Sequence, residues 1–503
     1  MSRASGTVLP ETASNRLGFR GSRGPILLAM MLSMAIIAMD SSIISTIVPT
    51  LVEDLGGFAS YPWLFSIYLL GMAVTVPVYS KLADTFGRKP IMLVGIGIFL
   101  VASILAGFAW DMTSLIVFRA LQGLGAGAVQ PMSMTIVGDI YTIEERAKVQ
   151  GYLSSVWAAA SVIGPLLGAL FGWLGFWRGV FFINIPICLA AAWLVWTKYH
   201  ERLEPKRHRI DVAGAVLVTA GLGLVILGVL QGGNAWAWDS PISISVFIAG
   251  GVLLAAFVLV ERRAAEPIIP LRVFRSGIIV VASVLGIAQG ATLIGLTAFI
   301  PTYLEIGSGV SAFIGGAAVA AVMLGWPAAA TFSGRLYLRR GFRFTTIVGT
   351  AFVLAGAIGL AVLGPWPTWW AVAICCLAMG WGFGWSAVPA LVSAQSSVPW
   401  GERGVVTGTV MFSRSLGQAL GAAILGAVSN GVIASLGGDE NDPHTIVVAS
   451  AAVFVGVAII ALVHFGISLA MPRERPTGDV PVAVAIEADS LLGDEPEEGR
   501  ATA

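Results

Sequence analysis

The feature that most constrains this chain is a succession of apolar runs, each long enough to cross a lipid bilayer. A bilayer core requires about 20 consecutive apolar residues of helix, and fourteen such runs are present. Their expected limits are 25–50, 62–80, 90–109, 113–139, 149–172, 177–197, 211–231, 241–260, 277–304, 312–334, 344–364, 368–394, 404–431 and 445–470. Only 11% of residues are charged, whereas soluble domains carry about 25%. The sequence therefore predicts an all-α membrane protein with fourteen spans.

The distribution of basic residues predicts the orientation of these spans. Alternate connections hold most of the Lys and Arg residues, as in 81–89 and 335–343, whereas the intervening connections hold acids such as Glu53 and Asp442. Basic connections stay on the cytoplasmic side of a membrane. We therefore expect a multi-pass protein of the cell membrane with both termini in the cytoplasm.

An internal repeat indicates that one half of the chain is a duplicate of the other. The charged turn Ser80–Pro90 returns in weaker form as Gly334–Arg343, at an offset of 334 − 80 = 254 residues. Each copy lies between two apolar runs. A repeat of this length between hydrophobic segments is typical of transporters built from duplicated halves.

Two charged residues inside the spans are the main candidates for chemistry. An intramembrane carboxylate costs about 2.5–3.5 kcal/mol, so Asp40 is expected to face protein or water. At the rise of an α-helix, Asp40 lies ~15 Å and Arg119 ~9 Å below the outer ends of their helices, so the two can meet. They form either a proton-coupling pair or a structural ion pair. We favour coupling, because apolar residues would span the bilayer at lower cost.

Two further charges are candidates for proton coupling. Arg414 enters its span from the cytoplasmic side by ~15 Å, and no acid can be assigned to it from the sequence. Glu305 lies at the outer mouth of span nine, where it is either a solvated rim charge or a gating or substrate-recruiting residue.

Small residues mark two helix-packing positions. Gly164, Pro165 and Gly168 in span five predict a bendable, closely packed seam. The stripe Gly123-x-Gly125-x-Gly127 is interpreted as packing rather than nucleotide binding, because no strand precedes it.

Other functional classes are disfavoured by composition. The net charge of +1 argues against a nucleic-acid partner. The three cysteines lie in apolar runs without metal-site spacing. We find neither a metal-ligand set nor a nucleophile–base set, so an enzyme is the least expected class.

With these residues in view, residues 25–470 resemble the major facilitator superfamily, and within it the fourteen-helix drug:proton antiporter branch. The residues that carry the resemblance are the loop Lys81–Lys89, Arg119 with Gln122-Gly123, Gly164-Pro165-x-x-Gly168, Asp40, Trp177–Pro186 and Asp211–Gly214. Ser80, Ala160 and Ala169 stand where glycines are usual in the family.

The resemblance implies a major-facilitator fold of two six-helix bundles around a central cavity, with two additional transmembrane helices. The implied divisions are a cytoplasmic tail 1–24, an N-terminal bundle 25–200, two inserted helices 201–265, a C-terminal bundle 266–470 and a disordered cytoplasmic tail 471–503.

The resemblance also implies an inner gate at the cytoplasmic side. Its residues are Leu82, Asp84, Gly87, Arg88, Lys89 and Asp139. Asp84 is expected to cap the helix that starts near Gly404, and Arg88 to pair with an acid such as Asp139. Leu338 and Phe342 replace Asp84 and Arg88 in the second copy, so the gate is expected to be one-sided.

The expected function is export of amphiphilic compounds against inward proton flow, by alternating access and without a cofactor or metal. Protonation of Asp40 is expected to weaken its attraction to Arg119. Candidates for lining the cavity are Gln122, Gln130, Trp157, Asn184, Gln289 and Gln418.

The expected partners are protons, membrane lipid and amphiphilic small molecules or lipids; an envelope partner protein is left open, and a monomer is expected. One alternative is export of lipids or fatty-acyl metabolites to the outer leaflet. Another is a non-transporting membrane sensor or scaffold, against which the buried charges Asp40 and Arg119 argue.

Overall fold

The computed structural model describes residues 23–56, 60, 63–201, 211–232, 236–237, 240–264, 267, 271–437 and 442–473. The predicted tails lie outside these residues, apart from 23–24 and 471–473. The described residues form the α-helices α1 (Gly24–Leu55), α2 (Trp63–Phe86), α3 (Arg88–Gly107), α4 (Met112–Ile140), α5 (Ile143–Trp173), α6 (Gly179–Phe182), α7 (Asn184–Lys198), α8 (Val212–Gln231), α9 (Pro241–Glu261), α10 (Gly277–Ser308), α11 (Ala312–Arg340), α12 (Phe342–Leu363), α13 (Trp369–Ser396), α14 (Arg403–Ser435) and α15 (Pro443–Leu469).

The predicted all-α membrane fold is confirmed. Thirteen helical segments of the described residues are long and apolar enough to cross a membrane, with α6 and α7 counted together as one segment. The remaining apolar helix, α8, has 20 residues and lies at the predicted span 211–231. Within the described ranges, every predicted span therefore has a helix, and no strand is present.

The repeated turn is much shorter than the sequence predicts. α2 continues to Phe86 and α3 begins at Arg88, so that Gly87 alone separates them, with φ 100° and ψ 153°. Gly341 separates α11 from α12 in the same way, with φ 90° and ψ 163°. The offset, 341 − 87 = 254, equals that of the sequence repeat. Only glycine adopts this backbone region readily, so a single residue makes each turn.

Glycines let α4 and α13 approach their neighbours in equivalent ways. A Cβ atom added to Gly123 would lie 2.3 Å from the carbonyl oxygen of Tyr68 in α2. A Cβ atom added to Gly380 would lie 2.4 Å from the carbonyl oxygen of Val322 in α11. The carbonyl partners keep the offset, 322 − 68 = 254, and the glycines differ by 380 − 123 = 257. The halves therefore repeat this close helix contact as well as the turn, with a shift of three residues in α13. The glycine stripe of α4 is thus a packing surface.

The helices pack into two groups, α1–α7 and α10–α15, which we call the N-terminal and C-terminal halves. The halves meet where α5 packs on α11 and where α2 and α4 pack on α14. α8 and α9 pack on each other, and α8 also contacts α2 and α14. One apolar cluster, which includes Val74, Leu222 and Phe412, joins α8 to both halves. The division of the chain at 201–265 stays a prediction.

The two ends of the bundle differ in charge. We call the end that contains Gly87 and Gly341 the basic end, because Lys81, Lys89 and Arg340 lie beside these turns. The opposite end, where α1 ends at Leu55, is called the acidic end.

We expect Gly341→Ala to lower the free energy of unfolding by about 1–3 kcal/mol, the cost of holding an L-residue in this backbone region. Gly316→Ala in α11, the helix that ends just before Gly341, is the control. A Cβ atom there meets nothing within 4 Å, so helix propensity predicts a small stabilisation. Thermal unfolding of both purified variants in one detergent measures the difference. Equal stability of the two variants would contradict the requirement for glycine.

Candidate functional site

The structure brings Asp40 of α1 and Arg119 of α4 together in the membrane interior. Arg119 Nη1 lies 2.5 Å from Asp40 Oδ2, and each residue is only 1% exposed. Because lipid offers no hydrogen bonds, such a pair has to be satisfied within the protein. The contact matches the depths expected from the sequence, and its role in proton coupling stays a prediction.

Arg119 has further partners besides Asp40. It donates hydrogen bonds to Gln122 Oε1 at 2.8 Å and to the Leu64 carbonyl oxygen at 3.2 Å. Its Cζ atom lies 4.3 Å from the centre of the Tyr68 ring, in cation–π contact. If Asp40 became neutral, the guanidinium would keep these three partners.

Gln122 and Ser103 complete this buried network. Gln122 Nε2 donates to Ser103 Oγ at 2.8 Å and to Asp40 Oδ1 at 3.4 Å. Asn184 Nδ2 lies 3.5 Å from the same Ser103 oxygen. Gln122 and Asn184, both predicted to line a cavity, are at most 1% exposed. In this conformation their amides serve the network and do not line open space.

The predicted small-residue seam of α5 packs on α1 next to Asp40. Ser42 Oγ donates a hydrogen bond to the Ala160 carbonyl oxygen at 3.0 Å. A Cβ atom would lie 2.0 Å from Ser42 Oγ if added to Gly164, and 1.9 Å from Thr46 Oγ1 if added to Gly168. Both glycines are thus required for the close approach of α5, with Pro165 between them.

Arg88 is the centre of a charge cluster at the basic end. It is fully buried and lies 2.8 Å from Asp84, 3.1 Å from Asp139 and 3.6 Å from Glu201. Glu201 Oε2 also accepts hydrogen bonds from the backbone N–H groups of Arg88 and Lys89, at the start of α3. Burial raises the pKa of the Glu201 carboxyl, and the Arg88 guanidinium opposes that rise.

Asp84 connects this cluster to the other half. Its carboxylate accepts hydrogen bonds from the backbone N–H of Gly404 at 3.2 Å and of Val405 at 2.7 Å. These N–H groups belong to the first turn of α14, where a carboxylate is favoured by unpaired donors and by the helix dipole. Asp84 therefore caps a helix of the C-terminal half from the N-terminal half.

Trp400 and Arg403 add contacts between the halves. Arg88 Nη2 donates to the Trp400 carbonyl oxygen at 2.8 Å, and Arg88 Cζ lies 3.7 Å from the Trp400 ring centre. Arg403 Nη1 donates to the Gly138 carbonyl oxygen at 2.9 Å and lies 3.4 Å from Asp139 Oδ1. These contacts hold the basic ends of the two halves together.

Sequence reasoning missed Glu201, Trp400 and Arg403 as members of this cluster. Glu201 had a signal, because it is an acid at the start of a connection rich in Lys and Arg. Trp400 and Arg403 had none, since their roles arise only when α14 meets α2 and α4. The gate function of the cluster, including Leu82 and Lys89, stays a prediction.

Arg414 of α14 has no counter-charge within the part of the chain that the structure describes. Its Cζ atom lies 5.9 Å from the centre of the Trp326 ring of α11. Among the described residues, no carboxylate or hydrogen-bond acceptor pairs with its guanidinium. Glu305, in contrast, is exposed near the acidic end of α10. The structure therefore does not bring either residue to the Asp40–Arg119 pair.

The remaining cavity candidates have different surroundings. Gln130 and Gln289 are buried, and Gln289 Nε2 has no hydrogen-bond partner within the described ranges. Trp157 and Gln418 are half-buried. A role in lining a cavity stays a prediction for all four.

A helical membrane bundle of two repeated halves, with a buried ion pair inside one half, is the architecture of a secondary transporter. The chain belongs to the Major Facilitator Superfamily, whose sequence profile matches residues 30–422. It is therefore a multi-pass membrane transporter and not an enzyme.

Individual relatives agree with this assignment. The chain is 33% identical over 409 residues to Multidrug resistance protein 3 of Bacillus subtilis (strain 168), covering 81% of this chain and 80% of that protein. It is 32% identical over 431 residues to the multidrug transporter protein MdtP of the same organism, covering 85% and 79%. The solved structure of the proton:xylose symporter XylE has the same fold, with a TM-score of 0.60, 13% identity and coverage of 93% of this chain and 98% of that one.

We expect Trp400→Leu to loosen the basic end. Losing a desolvated cation–π contact of about 2 kcal/mol is expected to speed maleimide labelling of Thr407→Cys by at least about tenfold. Thr407 is fully buried just inside α14. Labelling rates are measured on purified protein whose native cysteines are replaced by serine.

Trp366→Leu is the matched control, because Trp366 is 63% exposed at the acidic end. Its labelling rate should equal that of the parent protein. Equal rates for Trp400→Leu and Trp366→Leu would show that the stacking contact does not hold the halves together.

Proposed function

We propose that this chain is a proton-coupled exporter of amphiphilic compounds in the cell membrane, with both termini in the cytoplasm. Relatives named as multidrug transporters and efflux pumps support export of the multidrug type. The observation that carries the proton coupling is the buried Asp40–Arg119 pair, in which the arginine keeps other partners when the acid is neutral.

Proton binding acts on a ligand-dependent equilibrium between two arrangements of the halves. When Asp40 takes up a proton, its ionic attraction to Arg119 is lost, and α1 is held to α4 less strongly. α1 is packed on α5 through Ser42 and Gly164, and α5 is packed on α11 of the other half. A shift at Asp40 therefore has a direct route of packed helices to the interface between the halves.

The charge cluster of Arg88 gives one arrangement its stability. With Asp84 on the first turn of α14 and Arg88 stacked on Trp400, the basic end is closed. In the proposed cycle this end faces the cytoplasm, and the closed state releases substrate outside. Opening requires Asp84 and Arg88 to leave their partners on the C-terminal half. No cofactor is needed, because the proton gradient supplies the energy, and we propose that a monomer is sufficient.

We expect Asp40→Asn to abolish proton-driven transport. In proteoliposomes with an imposed pH gradient, accumulation of cationic, neutral and anionic fluorescent amphiphiles should fall by at least about tenfold. The reason is that asparagine, unlike aspartate, cannot bind and release a proton at this position. Proton flux is followed in parallel with an internal pH dye.

Asp111→Asn is the matched control for this experiment. Asp111 is exposed and caps α4, and asparagine caps a helix about as well as aspartate. Transport should therefore be unchanged in Asp111→Asn. Gradient-driven transport that survives in Asp40→Asn would remove Asp40 from the mechanism. Movement of fluorescent phospholipid without movement of the small amphiphiles would favour lipid export.

A further inference from the structure

Arg414 is a cation in the membrane interior whose charge is not balanced by the described residues of its own half. It lies 11 residues after the start of α14 at Arg403, or ~16 Å along the helix. The acids in the described part of the C-terminal half are Glu305, Glu402 and Asp442, each at an end of the bundle. They are too far along the helix axes to neutralise Arg414.

The N-terminal half does not supply the missing charge either. The acid in the interior of its described spans is Asp40, whose carboxylate is engaged by Arg119 and Gln122. Counted over the described residues, the interior between the two ends therefore holds two guanidinium groups and one carboxylate. Its net charge is positive when Asp40 is ionised.

The Arg414 side chain lies between α14 and α11. Its backbone is pressed against α10, because a Cβ atom on Gly290 would lie 2.0 Å from the Arg414 carbonyl oxygen. Its guanidinium lies beside Trp326 of α11, the helix that packs on α5 of the other half. Thr331, five residues further along α11, makes that contact with Gly151 of α5.

The Arg414 guanidinium is not fully enclosed by protein. Arg414 is deep among the helices, yet its side chain is only half-buried and its nitrogens are not enclosed. One residue before Gly290, the buried Gln289 has an Nε2 group without a hydrogen-bond partner among the described residues. Two sets of unused N–H donors are therefore present in this part of the C-terminal half.

An arginine inside a membrane is retained where it faces water or pairs with an opposite charge. Its planar guanidinium is suited to two parallel hydrogen bonds with a carboxylate or phosphate. The half-buried Trp326, packed on Phe383 at 5.5 Å, offers an aromatic face beside the cation. The pair thus places one charged and one apolar surface side by side.

We propose that Arg414 and Trp326 bind the head group of an anionic amphiphile, such as one carrying a carboxylate. Arg414 holds the oxyanion, and Trp326 contacts the adjoining apolar part. This proposal rests on the proposed export function and names the substrate class for it. It also assigns Arg414 to the substrate, whereas Asp40 takes the proton.

An anionic substrate allows the membrane potential to drive both steps of the exchange. When a proton enters and an anion leaves, both movements carry positive charge inward. A membrane potential that is negative inside therefore favours both steps. Export of a neutral compound by the same exchange gains from the potential in one step alone.

Equilibrium binding tests the proposal with dansyl-labelled undecanoic acid and its methyl amide as probes, on the full chain in nanodiscs of zwitterionic lipid. Arg414→Gln should weaken binding of the carboxylate by about tenfold or more, the effect of losing charge-assisted hydrogen bonds. Binding of the neutral amide should change by less than about twofold. Arg414→Lys keeps the charge and should retain part of the affinity.

Arg339→Gln is the control, because Arg339 is exposed at the basic end, and it should bind both probes as the parent does. A second set of nanodiscs contains anionic phospholipid. If a lipid head group is the natural occupant, this lipid will weaken carboxylate binding to the parent protein but not to Arg414→Gln.

Equal loss of both probes in Arg414→Gln, or undiminished binding of the carboxylate, would overturn the proposal. Thermal unfolding of Arg414→Gln shows whether an equal loss comes from misfolding. In that case Arg414→Lys decides the question. Preference of this variant for the carboxylate over the amide supports the proposal, and equal binding of the two probes overturns it. Selective binding without proton-driven flux in proteoliposomes would remove the proposed function and leave this site in place.

Discussion

The placement of the helices depends on one constraint, namely that lipid cannot solvate the charges in the interior of the bundle. Asp40 and Arg119 come from α1 and α4, and a carbonyl oxygen and a tyrosine ring of α2 complete the arginine's surroundings. Unpaired, either charge would cost several kcal/mol. The pair therefore fixes three helices relative to one another, and the glycines of α4 and α5 make that close arrangement sterically possible.

The sequence predicted those parts of the fold that depend on local properties. Span positions follow from apolar length, and the Asp40–Arg119 contact follows from two rare charges at compatible depths. The turns were predicted too long, because nothing in 81–87 except the final glycine reveals where α2 stops. Trp400 was not predicted, since its stacking on Arg88 joins residues 312 positions apart and leaves no local pattern.

The duplicated halves share a backbone plan but not its charges. At the offset of 254 residues, Asp84 and Arg88 correspond to Leu338 and Phe342. Phe342 is buried and stacks on Tyr337 at 5.0 Å, within its own half, whereas Arg88 reaches Trp400 in the other half. The repeat thus conserves the glycine turn that the backbone requires, while only the first copy carries charges that join the halves. The charged contacts that close the basic end therefore come from the first copy of the turn and not from the second.

A similar asymmetry separates the two interior arginines. Arg119 is neutralised within its half, whereas Arg414 lies beside Trp326 with no acid among the described residues to pair with it. In the proposed cycle, protonation of Asp40 would leave two uncompensated guanidinium groups between the ends of the bundle. In a medium of low dielectric constant such a state is stable only when water or an anion reaches the interior. The proton and an anionic head group can therefore be coupled through the electrostatics of the whole interior, although their sites lie in different halves.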